Sequence, residues 1–149
     1  VELLKKALPN NVDVSVIGKK HSIADSKVKS VGFLNSSQLK EHFDVADLLI
    51  TAAGQTVAEA VSCTLPAIIL QTAENQAINI RGWKSTGAVL SAGSIDNNNW
   101  THTLCNYLEL TKRKEIRKEM FKKSSAKGLH ESTLNLTRTL LKNRTGFYK

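Results

Sequence analysis

The chain has 149 residues and a net charge of +8, with 41% apolar and 23% charged residues. That length suits one domain whose core needs no disulfide or metal staple, and the balance of apolar and charged residues excludes a disordered or collagen-like chain. No run reaches the ~18 apolar residues of a membrane-spanning helix, and Val1 to Leu8 is amphipathic rather than leader-like.

Short β-branched runs alternate with helical patterns along the chain. Val12 to Ile17 (VDVSVI) alternates and predicts a strand, ended by Gly18; Val28 to Leu34 (VKSVGFL) predicts a second. Ser36 and Ser37 are candidate caps for a helix over Gln38 to Val45. Asp47 to Ala52 (DLLITA) is a third strand, apolar enough to be covered on both faces. After Gly54 a short helix spans Thr56 to Ser62. Ala67 to Leu70 is a fourth strand, Asn75 to Thr86 a helix, and Gly87 to Ser91 a fifth strand. From Trp100 the pattern is helical: Trp100 to Leu110, Lys112 to Ala126 closed by Gly128, and Glu131 to Lys142. Strands alternating with helices imply an α/β fold, a Rossmann-like open parallel sheet with helices on both faces and right-handed crossovers.

The charge is uneven. Lys112, Arg113, Lys114, Arg117, Lys118, Lys122, Lys123 and Lys127 face only Glu115 and Glu119, which leaves six of the eight excess charges in one stretch. It reads as an exposed basic helix, either a solvated face or a contact for anionic lipid head groups or nucleic acid. Phe121 is the only aromatic residue among the charges, so a stacking platform for single-stranded nucleic acid is weakly supported. Cys63 and Cys105 form no CxxC pair and are expected as reduced, mostly buried thiols of a cytoplasmic protein. No metal-ligand cluster or cofactor motif is present, so neither a metal nor a cofactor is expected.

The informative stretch is Asp47 to Gln76. In open parallel sheets, ligands sit beyond the carboxyl ends of the strands. The strand ending in Ala52-Ala53-Gly54 leads through Gln55 and Thr56 into a helix. A glycine there admits close approach of a bulky anion, and free N–H groups at the start of the helix favour a pyrophosphate. Glu59, one turn later among small and apolar residues, is a charge in need of a partner and could accept hydrogen bonds from ribose hydroxyls. Glu74, Asn75 and Gln76 follow the next strand; their amides and carboxylate suit sugar hydroxyls, although Glu74 or Asn75 could instead cap the following helix.

The order ADLLITAAGQTVAEAVSCTLPAIILQTAENQ resembles the C-terminal half of the UDP-sugar hydrolases of pseudaminic acid biosynthesis. More distantly it is similar to the lipid-linked N-acetylglucosaminyltransferases of peptidoglycan synthesis. The shared pattern is Ala-Asp, an apolar strand, a small-Gly-polar turn, a helix with Glu, a Leu-Pro-apolar strand and an acidic and amide cluster, with Ala73-Glu74-Asn75-Gln76 nearest the hydrolases. The likeness spans roughly Val12 to Ala92. It implies the C-terminal domain of a GT-B-type enzyme, binding a UDP-linked sugar for hydrolysis or glycosyl transfer. Gly54, Gln55 and Thr56 would lie against the phosphates, Glu59 would hold the ribose, Asn75 and Gln76 would face the sugar with Glu74 nearby, and the backbone of Leu34 would meet the uracil.

Two departures bear on that expectation. The family's domain opens with a strand and a Gly-rich loop before its first helix, whereas Val1-Glu2-Leu3-Leu4 already reads as that helix, so the first strand is expected to be lacking. The family's catalytic histidine lies in the other domain, and none of His21, His42, His102 and His130 occurs in a matching motif. The chain is therefore expected to bind donor nucleotide without being active alone, its catalytic residues unassigned, and to need an N-terminal domain. Two alternatives remain: a subunit of a split transferase completed by a partner chain, or a non-enzymatic module using its basic helix.

Overall fold

Parallel strand pairing organises the chain. The computed structural model describes residues 12–19 and 28–126 and divides into two units, 1–46 and 47–149. In the first unit β1 (Val14–Ile17) pairs in parallel with β2 (Val28–Val31), Val14 opposite Val28. Helix α1 (Ser36–Val45) follows, with Phe43 buried. Its cap is Asn35, one residue before the expected serines. Asn35 Oδ1 accepts from the Gln38 N–H at 2.9 Å, and Gln38 Oε1 accepts from the Asn35 N–H at 3.1 Å. This reciprocal pair satisfies two donors that either serine alone could not.

The second unit holds β3 (Leu49–Ala52), α2 (Thr56–Ser62), β4 (Ala67–Gln71), a 3₁₀ turn (Glu74–Gln76), α3 (Ala77–Thr86), β5 (Val89–Ser94), α4 (Trp100–Lys112) and α5 (Lys114–Ala126). Its sheet runs β3-β4-β5, all parallel, with Ala52 opposite Leu70 and Ile69 opposite Ser91. The sheet is open, the strands are joined through helices, and the fold is α/β and Rossmann-like.

Burial explains the apolar runs. Ile69 joins Ala53, Val57, Val61, Ala67, Ile80, Ala88 and Val89 in one core, with Leu49 and Trp83 packed against it. Ile68, on the opposite face by strand alternation, is also fully buried, so the sheet is covered on both sides. Helix α4 packs on β5 and α5 on α4, and Leu104, Leu108 and Met120 are buried.

Three boundaries differ from expectation for physical reasons. The fifth strand starts at Val89 because Gly87, at φ 68°, is the left-handed cap that ends α3. The helix expected from Asn75 begins as a 3₁₀ turn, and neither Glu74 nor Asn75 caps it with its side chain. The basic segment is broken at Arg113, which leaves helical geometry between α4 and α5. Nor is α5 exposed all round: Met120 and Ser124 are buried and Arg117 turns inward, donating to the Thr111 and Lys112 carbonyls at 2.7 and 3.0 Å. The helices expected over Val1 to Leu8 and Glu131 to Lys142, and Gly128, lie outside the described residues. Among the described residues no helix is long and apolar enough to cross a membrane, and Cys63 and Cys105 are free and half-buried.

Candidate functional site

The carboxyl ends of β3, β4 and β5 share one edge of the second unit's sheet. The Ala53 N–H donates to the Leu70 carbonyl at 2.8 Å, and the Ile95 N–H to the Gln71 carbonyl at 3.0 Å. Parallel pairing thereby sets the turn after β3 beside the turn after β4. Gly54 to Thr56 and Glu74 to Gln76, some twenty residues apart in sequence, come to one edge of the sheet.

Gly54 is half-buried, and a Cβ built on it meets nothing within 4 Å. Its φ lies outside the left-handed region, so the backbone does not require glycine there. Its N–H is already used, donating to the Ala52 carbonyl at 2.8 Å. The unpaired amides are the next two: the N–H groups of Gln55 and Thr56 have no acceptor among the described residues, whereas Ala58 N–H donates to the Gln55 carbonyl at 2.9 Å. The free donors therefore lie at the start of the helix, and the Gly54 N–H is not one of them.

Helix α2 is anchored by Val57, Ala60 and Val61, all fully buried, which fixes its remaining face. Glu59 lies on the turn after Gln55 and is half-buried. Its carboxylate has no ion pair or hydrogen bond among the described residues. The helix ends in a tight cap where Thr64 adopts φ 57°, and Cys63, Thr64 and Leu65 donate backward to Glu59, Val61 and Ala60.

In the second turn Glu74 and Asn75 are exposed. Gln76 has a structural task that the sequence did not disclose: its Oε1 accepts from the Thr72 N–H at 2.9 Å and the Thr72 hydroxyl at 3.3 Å. The turn after β4 is closed by this side chain, which leaves the amide NH₂ of Gln76 as its remaining donor.

Asn79 was also missed. One turn into the helix that follows Gln76, its Nδ2 donates to the Ala53 carbonyl at 3.4 Å, tying α3 to the end of β3. The only hint in the sequence is its spacing, three residues after Gln76. The turn after β5 adds Asp96 at the same edge, its N–H held by Ser94 Oγ at 3.2 Å.

Leu34 lies in the first unit, half-buried in the loop between β2 and α1. Its backbone N–H and carbonyl have no partner among the described residues. No three His, Cys, Asp or Glu side chains converge as metal ligands among the described residues. No protein-family model matches the chain, and no curated protein matches it.

Proposed function

We propose that the chain is the donor-nucleotide domain of an enzyme acting on UDP-linked sugars, a sugar-nucleotide hydrolase or glycosyltransferase. The observation that carries this reading is the pair of unpaired N–H groups at Gln55 and Thr56, beside open space over Gly54, at the carboxyl edge of a parallel sheet. Gln55 is exposed and Thr56 half-buried, so both N–H groups can donate to an incoming anion, and the open space over Gly54 leaves room for its close approach.

In this reading the diphosphate accepts from Gln55 and Thr56, whose hydroxyl adds a third donor. Glu59 takes the ribose hydroxyls with its unpartnered carboxylate. Glu74, Asn75 and the NH₂ of Gln76 meet the sugar from the neighbouring turn. The leaving diphosphate is stabilised by fixed backbone dipoles, and the acceptor or water comes from an N-terminal domain or partner chain, so this chain binds donor without turning it over. The nucleotide-sugar supply implies a cytoplasmic site of action.

Calorimetric titration with UDP, uridine and inorganic phosphate tests the reading. The expected order is UDP tightest, with the two fragments at least tenfold weaker, on the order of 1.4 kcal/mol each. Equal affinity for UDP and phosphate would reduce the site to a plain anion contact.

A further inference from the structure

The ion pairs of the second unit sort the cations of its C-terminal helices into two groups. Lys112 pairs with Glu109, Arg117 with Asp47 at 3.2 Å, and Lys123 with Glu119 at 3.9 Å. Lys114, Lys118 and Lys122 are exposed and have no ion pair or hydrogen bond among the described residues. They recur every four residues, so they form one row along α5. Phe121 flanks that row, three residues after Lys118, and is 49% exposed. The opposite face is fixed to the protein through Met120 and Ser124. Glu115 and Glu119 lie along one side of the lysine row, leaving its crest cationic.

We propose that this row is a docking face for an anionic membrane surface, with Lys114, Lys118 and Lys122 against lipid head groups and Phe121 entering the interface. Three features fit a lipid surface better than a nucleic acid. The charges are lysines along a straight row of about 12 Å, at 1.5 Å rise per residue, which suits a plane. The aromatic lies among them where a bilayer offers an apolar layer beneath its charges. The adjoining glutamates would oppose a polyanion wrapping around the helix.

The test is flotation of the full chain with vesicles of phosphatidylcholine alone or with about one-third phosphatidylserine, at low and high salt. The proposal expects binding only to the anionic vesicles and loss of binding at high salt. The triple variant Lys114→Gln, Lys118→Gln, Lys122→Gln should bind on the order of 100-fold more weakly, about fivefold per lysine. Phe121→Ser should weaken binding while leaving its salt dependence intact. A control with the same change in net charge, Lys19→Gln, Lys29→Gln, Lys84→Gln, should bind within about twofold of the parent if the contact is local. Glu115→Lys, which removes no ion pair or hydrogen bond among the described residues, should strengthen binding about fivefold. Equal losses in the two triple variants, no gain from Glu115→Lys, or a preference for duplex DNA over anionic vesicles would each overturn the proposal.

Discussion

Asn79 reaches across the sheet edge to Ala53: its side-chain amide donates to the Ala53 carbonyl at 3.4 Å, joining residues 26 apart in sequence. That bond joins the helix after the second candidate turn to the strand that opens the first. At 3.4 Å it is long, so Asn79→Ala should cost only about 0.5 kcal/mol of stability, the low end for a neutral hydrogen bond. If the tether sets the spacing of the two turns, UDP binding should weaken about threefold beyond that small loss. Urea unfolding and UDP calorimetry on the same variant separate the two effects.

Gly54 gives a sharper contrast between stability and binding. With open space around its Cβ direction and φ outside the left-handed region, Gly54→Ala should leave the melting temperature unchanged or raise it, by up to about 1 kcal/mol of stability. The same methyl group stands where the proposed diphosphate lies, so UDP affinity should fall at least about tenfold. Loss of stability with unchanged affinity would mean the glycine serves the fold alone.

The unpartnered carboxylate of Glu59 makes a prediction about the sugar of the nucleotide. Glu59→Ala should change stability by no more than about 0.5 kcal/mol, since no hydrogen bond or ion pair among the described residues is lost. It should weaken UDP binding about tenfold, as expected for hydrogen bonds to a charged group. In the parent, 2′-deoxy-UDP should bind more weakly than UDP; in the variant the two should bind alike, the result a double-mutant cycle gives for a broken pair.

The Asp47–Arg117 pair is asymmetric. Asp47 is 83% exposed while Arg117 is 21% exposed and also donates to the carbonyls of Thr111 and Lys112. Asp47→Asn should therefore change stability by about 0.5 kcal/mol or less. Arg117→Ala should cost about 1.5 kcal/mol or more, because carbonyls at the end of α4 lose a charged donor. Chemical denaturation of both variants at low and high salt checks the difference, only the Asp47 contribution being removed by salt.

Local features of the sequence carried the elements, and long-range ones did not. The apolar run at Ala67 announced a strand buried on both faces, whereas the run at Leu49, expected to be covered likewise, forms the first strand of its sheet with every residue half-buried, and the Gly54-to-Thr56 turn announced the start of α2 at its observed residue. Gly87 misled because a glycine at a helix end and one at a strand start look alike until its left-handed φ is seen. The use of the Gly54 N–H by Ala52, the closure of the turn at Thr72 by Gln76 and the reach of Asn79 to Ala53 all depend on which backbone groups pairing leaves over. Periodicity does not encode that choice. The inward turn of Arg117 was hidden for a similar reason: a run of positive charge does not show which cations face carbonyls and which face water.

The central claim is tested most directly by titrating UDP into ¹⁵N-labelled chain and following the backbone amides. Saturable shifts are expected at Gln55, Thr56 and Glu59 and at Glu74 to Gln76, with Gln55 and Thr56 moving most as their N–H groups gain an acceptor. Shifts confined to Lys114, Lys118 and Lys122, or none near Gln55 and Thr56 at saturating UDP, would contradict the account.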